Sequence, residues 1–140
     1  MVTVFSREKG KVSLVAKGVR RIKSRRAPHL EPLNEVEIVY RKKIISEAKS
    51  SLRNKFSLES LGFALYATEI IDKLLPDEQP HEEVYDLLSN LLANKALDEN
   101  MIKTFTASVL WSLGFFPRGE YPKEGINNFV EQVAEKHIRS

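Results

Sequence analysis

The sequence predicts an α+β protein, with a β-rich first part and a helical second part that meet near Phe56. Through the first part, apolar side chains recur with a period of two, as on strands with one buried face. After Phe56 the period changes to 3.6 residues, which is typical of amphipathic helices. Charge divides at the same point: residues 1–55 hold 15 Lys and Arg against 5 Asp and Glu, and residues 56–140 hold 7 against 14. We therefore predict a β domain over residues 1–55 and a helical domain over residues 56–140.

Four strands are predicted in the first part, over residues 2–5, 11–17, 36–40 and 44–49. The first is β-branched and aromatic, and the second and third alternate apolar residues with residues of the opposite face. Gly10 can adopt the positive φ that a hairpin turn between the first two strands requires. The segment 18–32 has no hydrophobic period and contains Pro28 and Pro32, so we predict a loop there.

Four helices are predicted in the second part. Their expected extents are Ser57 to Pro76, Pro80 to Leu92, Asp98 to Gly114, and Ile126 nearly to the end. Ser57 is a suitable N-cap, and Gly114 suits the left-handed residue that often follows a helix. In the first helix, the helical spacing predicts one face that is lined by Leu58, Leu61, Leu65 and Thr68 and continues to Ile71 or Asp72 and Leu75.

The main candidate binding site is a run of cations at residues 17–26, where six of ten residues are Lys or Arg. Arg offers a bidentate fork to a phosphate and Lys a point charge, so the run suits a nucleic-acid backbone. An anionic membrane would attract the same charges, but it usually binds an amphipathic helix with exposed aromatic residues. The predicted binding residues are Lys17, Arg20, Arg21, Lys23, Arg25 and Arg26, extended by Lys9, Lys11, Arg41, Lys42 and Lys43.

Aromatic side chains give weaker signals. Phe5 and Tyr40, the only two in the first 55 residues, lie on predicted strands, where core packing and base stacking both remain open. We therefore expect binding to be mainly electrostatic and weak in sequence preference.

A second group of aromatic residues, in the helical part, is expected to pack in the core or between domains or, alternatively, to form a groove for a peptide. Its members are Trp111, Phe115, Phe116 and Tyr121.

No catalytic machinery is recognisable, and we expect neither enzyme activity nor a cofactor. The chain has no Cys and three dispersed His, which excludes thiolate zinc sites and predicts no structural metal. Glu82 and Glu83 beside His81 are explained by the positive end of a helix dipole rather than by a metal site. With no long apolar run and no signal-peptide pattern at its start, the protein is expected to be cytoplasmic and not bound to a membrane.

Several segments are similar to one known family. SREKGK at residues 6–11 and AKGVRR at residues 16–21 resemble the TREhGK turn and the AKGarr.kSr loop of the RecO recombination mediators. Residues 66–76 resemble the first long helix of that family, and residues 110–117 its LLGy.P helix end. The resemblance implies an N-terminal oligonucleotide-binding (OB-like) barrel packed on a helical domain of four helices.

The resemblance also implies a function. RecO proteins bind single- and double-stranded DNA, anneal complementary strands without ATP, and act with RecR and single-stranded DNA-binding protein in recombinational repair. The resemblance thus implies a DNA-binding recombination mediator and a peptide-docking groove on the helical part. Within the family pattern, two features are absent here: the usual opening strand and the cysteine cluster, which a short loop at 118–125 replaces. We therefore expect an incomplete barrel with an exposed edge, open or completed by another chain.

The alternative interpretation is a protein–protein adaptor whose basic part docks an acidic surface of a partner. The residues alone leave open this choice, the preference for DNA or RNA, and the oligomeric state. The slope of the logarithm of the association constant for nucleic acid against the logarithm of salt concentration distinguishes a phosphate-binding surface from an adaptor.

Overall fold

The computed structural model describes residues 1–16, 33–52 and 56–139. In these ranges four strands precede four helices, which confirms the predicted α+β class. The elements are β1 (Val2–Ser6), β2 (Gly10–Leu14), β3 (Glu35–Arg41), β4 (Ile44–Leu52), α1 (Leu58–Leu74), α2 (Glu82–Leu92), α3 (Glu99–Ser112) and α4 (Ile126–Arg139). We refer to residues 1–52 as the β half and to residues 56–139 as the helical half.

The β half consists of two antiparallel hairpins. β1 pairs with β2, and β3 pairs with β4 across two register irregularities. One bridge joins the hairpins: the Val15 amide donates to the Lys43 carbonyl at 2.7 Å, and the Ile45 amide donates to the Val15 carbonyl at 2.9 Å. Val12, Leu14 and Ile45 form a small buried core. Since the described strands form two separate sheets and do not close, the expected incomplete OB-like barrel is confirmed.

The helical half packs around a larger core, to which α2, α3 and α4 each contribute buried apolar side chains. Among its buried residues are Val84 of α2, Val109 of α3 and Val130 of α4. The Asp98 carboxylate caps α3 by accepting a hydrogen bond from the Met101 amide at 2.8 Å. Gly114, with φ of 81°, follows the end of α3 as predicted.

The predicted face of α1 is buried at its end, where Ile71 and Leu75 lie, but not at its start. Leu58 is 89% exposed and Leu65 is 44% exposed, whereas Ala64 and Ala67 are completely buried. The buried Ser60 hydroxyl accepts a hydrogen bond from the Leu97 amide at 3.0 Å, so the α2–α3 connection packs closely on this side. Because α1 is apolar on more than one side, its spacing alone does not select the face with small residues that permits this approach.

Among the described helices, none combines the length and the apolar composition needed to cross a membrane.

Candidate nucleic-acid interface

The structure describes five of the eleven predicted binding residues. The other six all belong to the run at 17–26, which lies outside the described residues. The five described cations occupy the turn and the strand start of the first hairpin and the turn of the second: Lys9, Lys11, Arg41, Lys42 and Lys43.

The second hairpin exposes its cations at a tight two-residue turn. Arg41 pairs with Ile44 across the end of the hairpin, which leaves Lys42 and Lys43 as the two central residues. Both adopt positive φ, 51° and 65°, as in the type I′ turn that usually contains Asn-Gly. A left-handed conformation costs a non-glycine residue about 1–2 kcal/mol. The turn therefore carries two lysines where the local conformation favours other residues.

Lys9 connects the first hairpin to this turn. Its ammonium nitrogen lies 5.5 Å from the centre of the Tyr40 ring, a cation–π contact. Tyr40 is half-buried and packs against the small core of the β half. A base could stack on that face of the ring only by displacing the lysine. We call Lys9, Arg41, Lys42 and Lys43 the basic turn cluster; its arrangement suits phosphates better than bases.

Lys11, two residues from Lys9, has a different environment. Its side chain is only 9% exposed, and its ammonium donates to the Asp72 carbonyl at 2.8 Å. The Asp72 and Asp77 carboxylates lie at 3.3 Å and 3.7 Å. The ammonium thus interacts with the negative end of α1 and joins the two halves. We therefore leave Lys11 out of the nucleic-acid surface proposed below.

Lys43 also contacts the helical half. Its ammonium forms an ion pair with the Glu78 carboxylate, in the loop between α1 and α2. The hydrogen bond between the two groups raises the pKa of Lys43 and lowers the pKa of Glu78. Both side chains remain more than half exposed, so water and dissolved ions reach the pair.

Further contacts join the halves. Arg7 donates to the Asp86 carboxylate at 3.2 Å. Phe5 packs against the helical core with its ring 5.6 Å from that of Tyr85, and the Tyr85 hydroxyl donates to Glu35 at 3.0 Å. Burial and then this hydrogen bond raise the pKa of Tyr85 to about 12. Phe5 is therefore part of the contact between the halves, not a free stacking platform.

Some of the basic residues of the β half form ion pairs with acidic residues of the helical half. Arg7, Lys11 and Lys43 of the β half all face carboxylates of the helical half. Part of the basic excess of the β half therefore neutralises part of the acidic excess of the helical half. The opposite signs of the two halves were the signal in the sequence for these ion pairs.

The aromatic group of the helical half packs on itself. Trp111 contacts Tyr121 at 5.5 Å between ring centres and donates to the Glu120 carbonyl at 2.7 Å. Phe115 and Phe116 both contact Phe129 of α4, at 5.6 Å and 4.8 Å. These ring contacts lie within the helical half, so the group holds the loop after α3 against α4.

The acidic residues near His81 are used in ion pairs. Glu82 faces Arg7 at 3.6 Å, and Glu83 accepts from Arg118 at 2.9 Å. His81 precedes α2 and makes no side-chain capping bond. Over residues 1–16, 33–52 and 56–139, no group of three potential ligands is placed to hold a metal ion.

Two family models match consecutive parts of the chain. The family model described as "Recombination protein O N terminal" matches residues 1–54, and "Recombination protein O C terminal" matches residues 55–121. A DNA repair protein RecO from Geobacter metallireducens is 35% identical over 102 residues, covering 66% of this chain and 41% of the relative. Proteins of the same name from Pseudoalteromonas atlantica and Symbiobacterium thermophilum are 31% and 33% identical; the matches cover 82% and 84% of this chain and 51% of each relative. The chain spans about half the length of the curated relatives it matches.

Proposed function

Because the chain belongs to the recombination protein O family, we propose that it is a non-enzymatic DNA-binding protein of recombinational repair. Its relatives carry the name DNA repair protein. We propose that it binds single- and double-stranded DNA through the β half and promotes annealing of complementary strands in the cytoplasm. The RecR protein and single-stranded DNA-binding protein are its proposed partners, by family resemblance.

The observation that supports DNA binding most directly is the basic turn cluster. The second hairpin exposes Arg41, Lys42 and Lys43 at its end, and Lys9 of the first hairpin lies over the ring of Tyr40, the residue before Arg41. Such a surface contacts the backbone, which single and double strands share, rather than base edges. The proposed site combines this cluster with the cations at 17–26.

Annealing follows from the same chemistry. Two complementary strands repel each other through their phosphates, and a surface of exposed cations lowers that repulsion without ATP. Since the proposed contacts read no base edges, pairing between the strands supplies the sequence specificity.

The adaptor alternative gains no support from the described contacts. An adaptor would present its basic surface to an acidic partner, but Arg7 and Lys11 already face acidic residues of this chain. Lys9, Arg41 and Lys42 of the basic turn cluster are exposed and belong to the proposed DNA surface.

A titration of labelled single- and double-stranded oligonucleotides over a salt series tests the proposal. We expect both forms to bind, with the logarithm of the association constant falling linearly with the logarithm of salt concentration. Each phosphate contacted on a single strand contributes a slope of about −0.7. Absence of binding to either form at low salt would overturn the proposal and favour the adaptor.

A further inference from the structure

The loop between α1 and α2 is attached to the β half in a fixed position. The Glu78 amide donates to the Lys11 carbonyl at 2.8 Å, and Asp77 forms a parallel bridge with Lys11. Gly10 touches the same loop: a Cβ atom there would lie 2.2 Å from the Gln79 carbonyl oxygen. The loop therefore lies along β2 like one more short strand, and its side chains have defined positions on the β half.

Glu78 meets Lys43 in an unusual conformation. Glu78 has φ of 58° and Lys43 has φ of 65°, so both partners of this ion pair are non-glycine residues in the left-handed region. Such conformations persist where the surrounding structure imposes them, and they concentrate at functional sites. Here the backbone bond to Lys11 holds Glu78, and the hairpin turn holds Lys43.

Glu78 places a negative charge within the basic turn cluster. In the described part of the chain, it is the one carboxylate that pairs with a member of that cluster. A carboxylate and a phosphate oxygen offer an ammonium group the same kind of charge-assisted hydrogen bond. The two groups therefore compete for Lys43.

On the basis of the proposed DNA-binding function, we propose that Glu78 is an internal competitor that occupies Lys43 until nucleic-acid phosphate displaces it. An exposed ion pair of this kind is weak, so a phosphate backbone with several cations to contact displaces the carboxylate easily. The Lys43–Glu78 pair also joins the two halves. DNA binding therefore loosens this contact, and by linkage the contact weakens DNA binding to the same extent.

The test compares Glu78→Gln with Glu131→Gln. Both variants remove one negative charge and one ion pair with a lysine, and the two glutamates are similarly exposed, at 61% and 64%. Glu131 pairs with Lys73 in the helical half and serves as the matched control. We expect Glu78→Gln to bind single-stranded DNA about two- to fivefold more tightly, with an unchanged salt slope because Lys43 contacts phosphate in both proteins. Glu131→Gln should change affinity less than twofold.

Repeating both substitutions in a Lys43→Ala background shows whether Lys43 is the target of competition. There Glu78→Gln should have no larger effect than Glu131→Gln. Equal effects of the two substitutions in the unmodified protein, or an effect of Glu78→Gln that survives without Lys43, would overturn the inference. Glu78→Asn provides a second variant that removes the charge while tolerating positive φ. If the unmodified protein binds no DNA, the proposed function fails, a result distinct from equal effects in a protein that binds.

Discussion

The contact between the halves and the basic turn cluster both take their cations from the β half, but in different environments. At the contact, Lys11 is buried against the end of α1 with two carboxylates nearby. In the cluster, Lys9, Arg41 and Lys42 are exposed, and only Lys43 meets a carboxylate in the described residues. Counting the charge of a segment therefore overestimates the cations available to a partner. Position relative to the helical half decides which cations stabilise the fold and which remain free for phosphate.

The largest effect is expected from the run at 17–26. Replacing Arg20, Arg21, Arg25 and Arg26 by Ala should flatten the salt slope for single-stranded DNA by about 3, from roughly 0.7 per phosphate. The loss should be similar for all sequences, and annealing should fall with it. Stability should change little, because the sequence predicts a loop there and exposed loop charges contribute little to stability. A folded quadruple variant with unchanged affinity and slope would show that this run is not the binding site.

Lys11 and Lys9 provide a direct test of the comparison, because they differ by two positions on one hairpin. Lys11→Met should destabilise the protein by about 2 kcal/mol, since it removes charge-assisted hydrogen bonds to the end of α1. Its salt slope for DNA binding should stay unchanged. Lys9→Met should leave stability within about 0.5 kcal/mol and flatten the slope by about 0.7.

Urea denaturation and the salt series together measure both variants. If Lys11→Met flattened the salt slope without loss of stability, the distinction between the contact and the cluster would be wrong.

These environments were only partly predictable from the sequence. The strands followed from a period of two, although β4 extends to Leu52 rather than ending near residue 49. The helix ends followed from Ser57, Asp98 and Gly114, whose local chemistry determines them. Local patterns carry this information because strand alternation and capping involve residues close together in the chain.

Contacts over long sequence distances were not predictable in this way. Lys11 and Asp72 are 61 positions apart, and no local period connects them. The exposure of Leu58 and Leu65 on α1 was not predictable for a related reason. Burial depends on which neighbour approaches the small residues Ala64 and Ala67. In the candidate site, the sequence indicated the type of surface but not that Lys11 belongs to the fold or that Glu78 faces Lys43.

Substitutions in the turn of the second hairpin should raise the stability of the protein and lower its affinity for DNA. Changing Lys42→Asn together with Lys43→Gly installs the residues that a type I′ turn favours. We expect a gain of about 1 kcal/mol in the free energy of unfolding, because glycine and asparagine adopt positive φ at lower cost. DNA affinity should fall, with a slope flatter by about 1.4 for two lost phosphate contacts.

Thermal denaturation and the same salt series measure both effects. A control variant, Lys95→Asn, removes an exposed lysine of the helical half and should alter neither quantity appreciably. Unchanged DNA affinity in the turn variant would remove Lys42 and Lys43 from the proposed surface.

The smallest effect concerns the hydrogen bond of Tyr85 at the contact between the halves. The Tyr85 hydroxyl donates to Glu35, and burial with this hydrogen bond raises its pKa to about 12, above the value of about 10 for an unfolded tyrosine. The folded state therefore retains the proton more strongly. The stabilising effect of the protonated Tyr85 hydroxyl is fully present below pH 10 and is lost as pH rises from about 10 to about 12.

Tyr85→Phe should cost about 1 kcal/mol at neutral pH, the usual value of one hydrogen bond. The difference in unfolding free energy between this variant and the unmodified protein should shrink from pH 9 to pH 12, with DNA binding at neutral pH unchanged. A difference independent of pH over that range would show that the Tyr85 proton does not contribute to the contact.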